Sequence, residues 1–188
     1  MPRLIAAGHD VHGMTHAESR QALLHELGAV PVIADALDSD QVAQAVARAR
    51  PEVIVHQLTA IGAVDTRHME RDFAQTNGLR VEGTDNLLSA GQAVGVRRFV
   101  AQGVAAYGAY VRTGGPVKTE EDPFDPTPPC EMRANLAALR HLEDAVLGAG
   151  VDGGDRAALR RLLRARHIAG TGRRAVRARA QAQVPRGR

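Results

Sequence analysis

The chain is expected to form an α/β domain: a Rossmann-like parallel sheet with flanking helices. Three observations support that expectation. Short apolar runs such as EVIVHQL (Glu52–Leu58) and RFVAQ (Arg98–Gln102) have strand length and are rich in Val, Ile and Phe. Longer stretches of helical character separate them, and Gly8, Gly28 and Gly95 stand where helices should stop. Strands alternating with helices of this length imply βαβ crossovers, and crossovers imply parallel pairing.

Taken in order, Pro2 to Gly8 reads as the last turns of a helix, followed by a short strand at Asp10–Met14. Ala17 to Leu27 is amphipathic and helical, and Ala29 to Ala34 is a strand ending at Asp35. Ser39 is a good N-cap for a helix running to Arg50, where Pro51 bars continuation. After the strand Glu52–Leu58, Asp65 to Val94 is helical with an expected interruption near Gly78. The strand Arg98–Gln102 then opens into a Gly/Ala loop ending at Tyr107-Gly108. Val111 to Pro129 holds five prolines and clustered acids, the composition of a long irregular loop of the kind that often serves as a lid. Glu131 to Leu147 resumes a helix with Leu136, Leu139, Leu142 and Val146 on one face.

A chain of 188 residues can bury one sizeable core, and 3% aromatic content without Trp makes that core aliphatic. A single cysteine, Cys130, excludes an internal disulfide and fits a reducing cytoplasm. The sequence shows no signal peptide and no membrane span. The net charge of +3 conceals an asymmetry. After Gly150 there are 11 Arg against Asp152 and Asp155, which leaves 13 basic and 19 acidic side chains in residues 1–150. The body is an acidic α/β domain, and the basicity belongs to the tail. Lys118 is the only lysine beside 23 arginines, a bias typical of GC-rich coding sequence.

Several stretches, taken together in their order and spacing, carry a family resemblance: AAGHDVHGMT, the strand end ADALD, VIVHQLTA, VEGTDNLL, VRRFVAQGVAAYG and TEEDPFDPTPP. Over about residues 3–148 the chain resembles the extended short-chain dehydrogenases, the NAD(P)-dependent epimerase/dehydratase family acting mainly on nucleotide sugars. The resemblance implies a dinucleotide across the carboxyl ends of the strands, its pyrophosphate cradled by a Gly-rich turn at a helix N-terminus. The chain begins at Met1-Pro2-Arg3-Leu4, inside the helix that should follow that turn. The expectation is therefore a domain short of its first strand and phosphate cradle.

The other cofactor positions carry over one by one. Thr15 and His16 occupy the place that distinguishes a free ribose hydroxyl from a 2′-phosphate, and the lack of an acid there leans toward NADP. His9, His12 and His16 read as solvent-facing histidines rather than a metal set. Asp35 and Ala36 match the adenine contact, although the same pair also suits a plain strand end. Leu58, Thr59 and Ala60 match the strand end that packs the middle of the cofactor, with simple core packing as the other reading. Gln102 closes the set at the end of the next strand.

The resemblance also implies a Ser, a Tyr and a Lys four residues after the Tyr, the cation holding the phenol's pKa down so that it can transfer a proton near neutral pH. Counting back from Tyr107-Gly108 puts Gly103 in the Ser place. Aligning Glu143 with the family's following glutamate puts Asn135 in the Tyr place and Leu139 in the Lys place. The only tyrosines are Tyr107 and Tyr110, neither followed by Lys at the fourth position. No catalytic residue is therefore assigned, and the chain is expected to be a catalytically inactive fragment of an NAD(P)-dependent enzyme.

Beyond Gly150 the family's strand and substrate domain are not recognisable. Codons for Arg156 to His167 read one base later can spell Val-Arg-Arg-Tyr-Gly-Gly-Phe-Tyr-Gly-Pro-Gly-Thr, the turn the family would place there. An out-of-frame tail, residues 151–188, following a partial cofactor domain, residues 1–150, is the preferred expectation. Two other functions stay open: a non-catalytic NAD(P)-binding or regulatory protein, and nucleic-acid binding through the Arg-rich tail.

Overall fold

In the computed structural model, residues 1–62, 65, 68–103 and 125–149 are described. The short helix α1 (Pro2–Ala6) carries Pro at its start, and Gly8 follows at φ 83°. Strand β1 (His12–Thr15) leads through a 3₁₀ turn (Glu18–Arg20) into α2 (Gln21–Glu26) and β2 (Val30–Ile33). Next come α3 (Ser39–Ala49), β3 (Val53–His56), the long α4 (Met69–Val94), β4 (Arg98–Ala101) and α5 (Cys130–Gly148). No described helix is long and apolar enough to cross a membrane.

All pairing is parallel, as the alternation of elements predicts. β1 pairs with β2 in the register His12 to Val30 through Thr15 to Ile33. β3 pairs with β4 from Val53 to Arg98 through His56 to Ala101. The sheet is divided into two two-stranded pieces, so among the described residues each strand has one neighbour and one unpaired edge.

The element boundaries correct several expectations. β1 starts at His12 rather than Asp10, and β3 is shorter at both ends than Glu52–Leu58. An apolar run marks burial, whereas a ladder extends only as far as its partner strand. The expected helix at 17–27 contracts to the 3₁₀ turn and α2 because Ala17 is extended, at φ −98° and ψ 112°. Asp38, not Ser39, caps α3: its Oδ1 accepts from the backbone N–H of Asp40 and of Gln41, both at 3.0 Å. Those bonds hold its carboxyl below the usual carboxylate range, Gln41 contributing most. α4 runs unbroken through Gly78, where the gain from packing outweighs one glycine of about 1 kcal/mol. The loop before Asp125 and the tail after Ala149 lie outside the described residues.

The core lies where α3, α4 and α5 meet the strands. Val42 and Val46 from α3, Leu87 and Leu88 from α4, and Leu136, Leu139, Leu142 and Val146 from α5 are all buried, together with Ile54 and Phe99. The four α5 residues form the face expected from their spacing. Gly91 lets α4 approach β3 closely, since a Cβ there would sit 3.1 Å from Ile54 Cδ1. Burial is one-sided on β3: Ile54 and His56 are buried, whereas Val53 and Val55 are 46% and 49% exposed.

Candidate functional site

Helix α4 organises the carboxyl ends of the strands, because polar residues at a four-residue spacing face inward. Thr76, Arg80 and Thr84 are 1%, 6% and 0% exposed. Thr76 Oγ1 accepts from the Ala60 N–H at 3.1 Å, which fixes the loop after β3. Thr84 Oγ1 donates to the Arg80 carbonyl at 2.6 Å and lies 3.0 Å from His56 Nε2 at the end of β3. Asn86 donates to the Ala36 carbonyl at 3.0 Å, and Gly83 lies against Ala36, so the loop after β2 reaches the same helix.

His56 is 2% exposed, and its surroundings settle its tautomer. Nδ1 accepts from the Leu58 N–H at 3.2 Å, so Nε2 carries the proton and donates to Thr84. Burial pushes its pKa down, the Leu79 carbonyl pulls it partly back, and the Arg80 charge lowers it further. It is a neutral positioning residue for the loop after β3.

The expected cofactor residues all fall at strand ends or in the loops that follow. Thr15 ends β1, half-buried, with Oγ1 accepting from the Ala17 N–H at 3.2 Å. His16 is exposed, as are His9 and His12. Asp35 is exposed after β2. Its Oδ1 accepts from the Leu37 N–H at 3.0 Å, and its own N–H donates to Gln41 Oε1 at 3.1 Å. Ala36 is 5% exposed. Leu58 and Ala60 are half-buried and held by the bonds already given, whereas Thr59 is exposed with Oγ1 3.4 Å from the Ile61 N–H. Gln102 is exposed, and its N–H donates to the His56 carbonyl at 3.0 Å. Helix α4 gathers Ala36, Leu58 and Ala60, while Thr15 and His16 stand at the end of β1 without a described contact to it.

The three positions aligned with the proton-transfer set behave differently from one another. Gly103 is exposed just past β4, and a Cβ there would lie 3.4 Å from Glu143 Oε1. Burial and the neighbouring Asp144 raise the pKa of Glu143. Asn135 is 5% exposed on α5, with Oδ1 accepting from Arg80 Nη1 at 3.0 Å. Leu139, 3% exposed, is core. Sequence reasoning missed Arg80 and His56. The available signal was the spacing of Thr76, Arg80 and Thr84, which puts a cation on the inward face of a helix.

Parallel βα units with loops gathered at strand carboxyl ends define a Rossmann-like α/β domain. The chain belongs to the NAD dependent epimerase/dehydratase family, whose model matches residues 1–149. A curated relative is the 3-diazoavenalumate denitrifying reductase of a Streptomyces species. It is 40% identical over 151 residues, covering 80% of this chain and 47% of the relative. Among solved structures, the UDP-Glc/GlcNAc 4-epimerase of Campylobacter jejuni superposes with a TM-score of 0.62 at 15% identity, covering 81% of this chain and 45% of that one. The UDP-glucose 4-epimerase of Thermus thermophilus, complexed with NAD, gives 0.58 at 22% identity, covering 79% and 46%. These structural likenesses establish the Rossmann-like fold. The chain spans about half the length of the proteins it matches.

Proposed function

We propose that this chain is the cofactor-side portion of an NAD(P)H-dependent reductase whose hydride transfer needs no side-chain proton relay. One observation carries the proposal: at the Tyr and Lys places, Asn135 is committed to Arg80 and Leu139 to the core. Epimerising a sugar through its ketone requires a group that takes and returns a hydroxyl proton. A diazonium carbon makes no such demand. A bound NAD(P)H would supply the hydride there, a C–H bond replacing the C–N bond as N₂ leaves with the bonding pair. The name of the 40% identical relative, a denitrifying reductase of a diazo compound, supports that class of reaction.

The donor set fits the adenosine half of a dinucleotide. Asp35 is exposed with only Oδ1 engaged, so Oδ2 is available to an adenine amine, and buried Ala36 backs it. Thr15 and His16 offer no carboxylate to a ribose hydroxyl, which favours NADP(H). Leu58, Thr59, Ala60 and Gln102 would line the middle of the cofactor. By itself, residues 1–150 followed by an out-of-frame 151–188, the chain does not turn over a nucleotide sugar. Measurable turnover by the purified chain would count against this.

The test places residues 1–149 in the frame of the Streptomyces reductase. With NADPH, the chimera should release N₂ from a diazonium-bearing cinnamate and leave UDP-glucose unchanged. Epimerised UDP-glucose with an untouched diazo compound would overturn the proposal and return the site to the nucleotide-sugar chemistry named for the structural neighbours.

A further inference from the structure

Arg80 is a buried cation with no anionic partner among the described residues. It is 6% exposed, and Nη1 donates to Asn135 Oδ1 at 3.0 Å and to Asn77 Oδ1 at 3.3 Å. Both acceptors are neutral amides, and among the described residues no carboxylate lies within ion-pair distance of the guanidinium. An arginine stays protonated in proteins, and burying its charge without a counter-ion costs several kcal/mol. A Gln or Met would join α4 to α5 at lower cost.

The unused part of the fork points to a ligand. Nε and Nη2 make no hydrogen bond, yet no buried side-chain nitrogen lacks a partner. Those two groups therefore retain access to solvent, while Nη1 is clamped by the two amides.

We propose that Arg80, on α4 beside Asn135 of α5, is an anion-binding residue, its Nε/Nη2 edge receiving the carboxylate of an organic acid substrate. Asn77 and Asn135 are its positioning residues. The planar fork matches a carboxylate bidentately. This rests on the reductase reading proposed above, and the name of the related enzyme's substrate, 3-diazoavenalumate, is that of a carboxylate.

The test uses the 188-residue chain without cofactor at low ionic strength, with cinnamate and inorganic phosphate as calorimetric probes. Cinnamate should bind the natural chain, and Arg80→Gln should weaken it at least tenfold without loss of thermal stability. Asn135→Asp is the second variant, setting a carboxylate where Oδ1 now sits. It should raise Tm and abolish cinnamate binding, because the cation is then neutralised internally. Equal cinnamate binding by Arg80→Gln, a lowered Tm in Asn135→Asp, or phosphate binding tighter than cinnamate would each overturn the assignment. If the chimera fails to reduce a diazonium while cinnamate binding depends on Arg80, only the reductase reading falls.

Discussion

Acidification should destabilise the fold through His56, and its environment bounds the size of the effect. The ring is 2% exposed and already satisfied: Nδ1 accepts from Leu58, and Nε2 donates to Thr84. A second ring proton would oppose the Leu58 N–H and add charge near the Arg80 guanidinium. Burial leads the causes that lower the folded pKa below the ordinary histidine value of 6.5. Below that value the unfolded chain binds a proton that the folded chain refuses. The contribution is thus complete above the unfolded pKa and is lost as pH falls toward the folded one. The slope is at most about 1.4 kcal/mol per pH unit, so going from pH 7.5 to 5.5 removes up to about 1.4 kcal/mol. Urea unfolding across that range would measure it as a falling midpoint at constant m-value. The chain holds seven other histidines, so the reading is the difference between the natural chain and His56→Gln. A pH-independent difference, or a natural chain that gains relative stability in acid, would refute the tautomer and its environment.

Gly95→Ala should cost about 1 kcal/mol by thermal unfolding, since φ is 76° and a Cβ would meet nothing within 4 Å, leaving backbone conformation as the whole penalty. Leu136→Ala, at a side chain of α5 that is 2% exposed, should cost about 2–5 kcal/mol in urea, and a loss below about 1 kcal/mol would contradict its place in the core. Val55→Lys should reduce self-association in sedimentation velocity, because Val55 is 49% exposed on a strand with an unpaired edge and charge blunts edge pairing. An unchanged sedimentation profile would mean that strand edges do not drive association.

Features that depend on local spacing were legible in the sequence. The glycine stops at Gly8, Gly28 and Gly95 each take positive φ, and the apolar stripe of α5 faces the core. Which strand pairs with which was not legible, because an apolar run carries no label for its partner. The cap of α3 was misplaced by one residue, since Asp38 and Ser39 are both good caps and only the bonds to Asp40 and Gln41 decide between them. Arg80 escaped notice because a lone arginine in a helical stretch reads as solvated. Its burial becomes visible only when α5 packs against α4.

The three positions that differ from the family's proton-transfer set are not equally reversible. At 103, Glu143 Oε1 at 3.4 Å is the one close atom among the described residues, so Gly103→Ser meets little resistance from them. Position 135 is bound to its surroundings: a Tyr there would remove the acceptor at 3.0 Å from a guanidinium that has no anionic partner among the described residues. At 139 a Lys would place a second cation in the apolar core, where Leu139 is 3% exposed. Restoring proton-relay chemistry therefore requires repacking the α4–α5 contact as a whole. On the proposed reading, the departure from that set is tied to the packing of α4 on α5 through Arg80 and Asn135, as expected of a site adapted to a reaction without a proton relay rather than of a relay weakened by single substitutions.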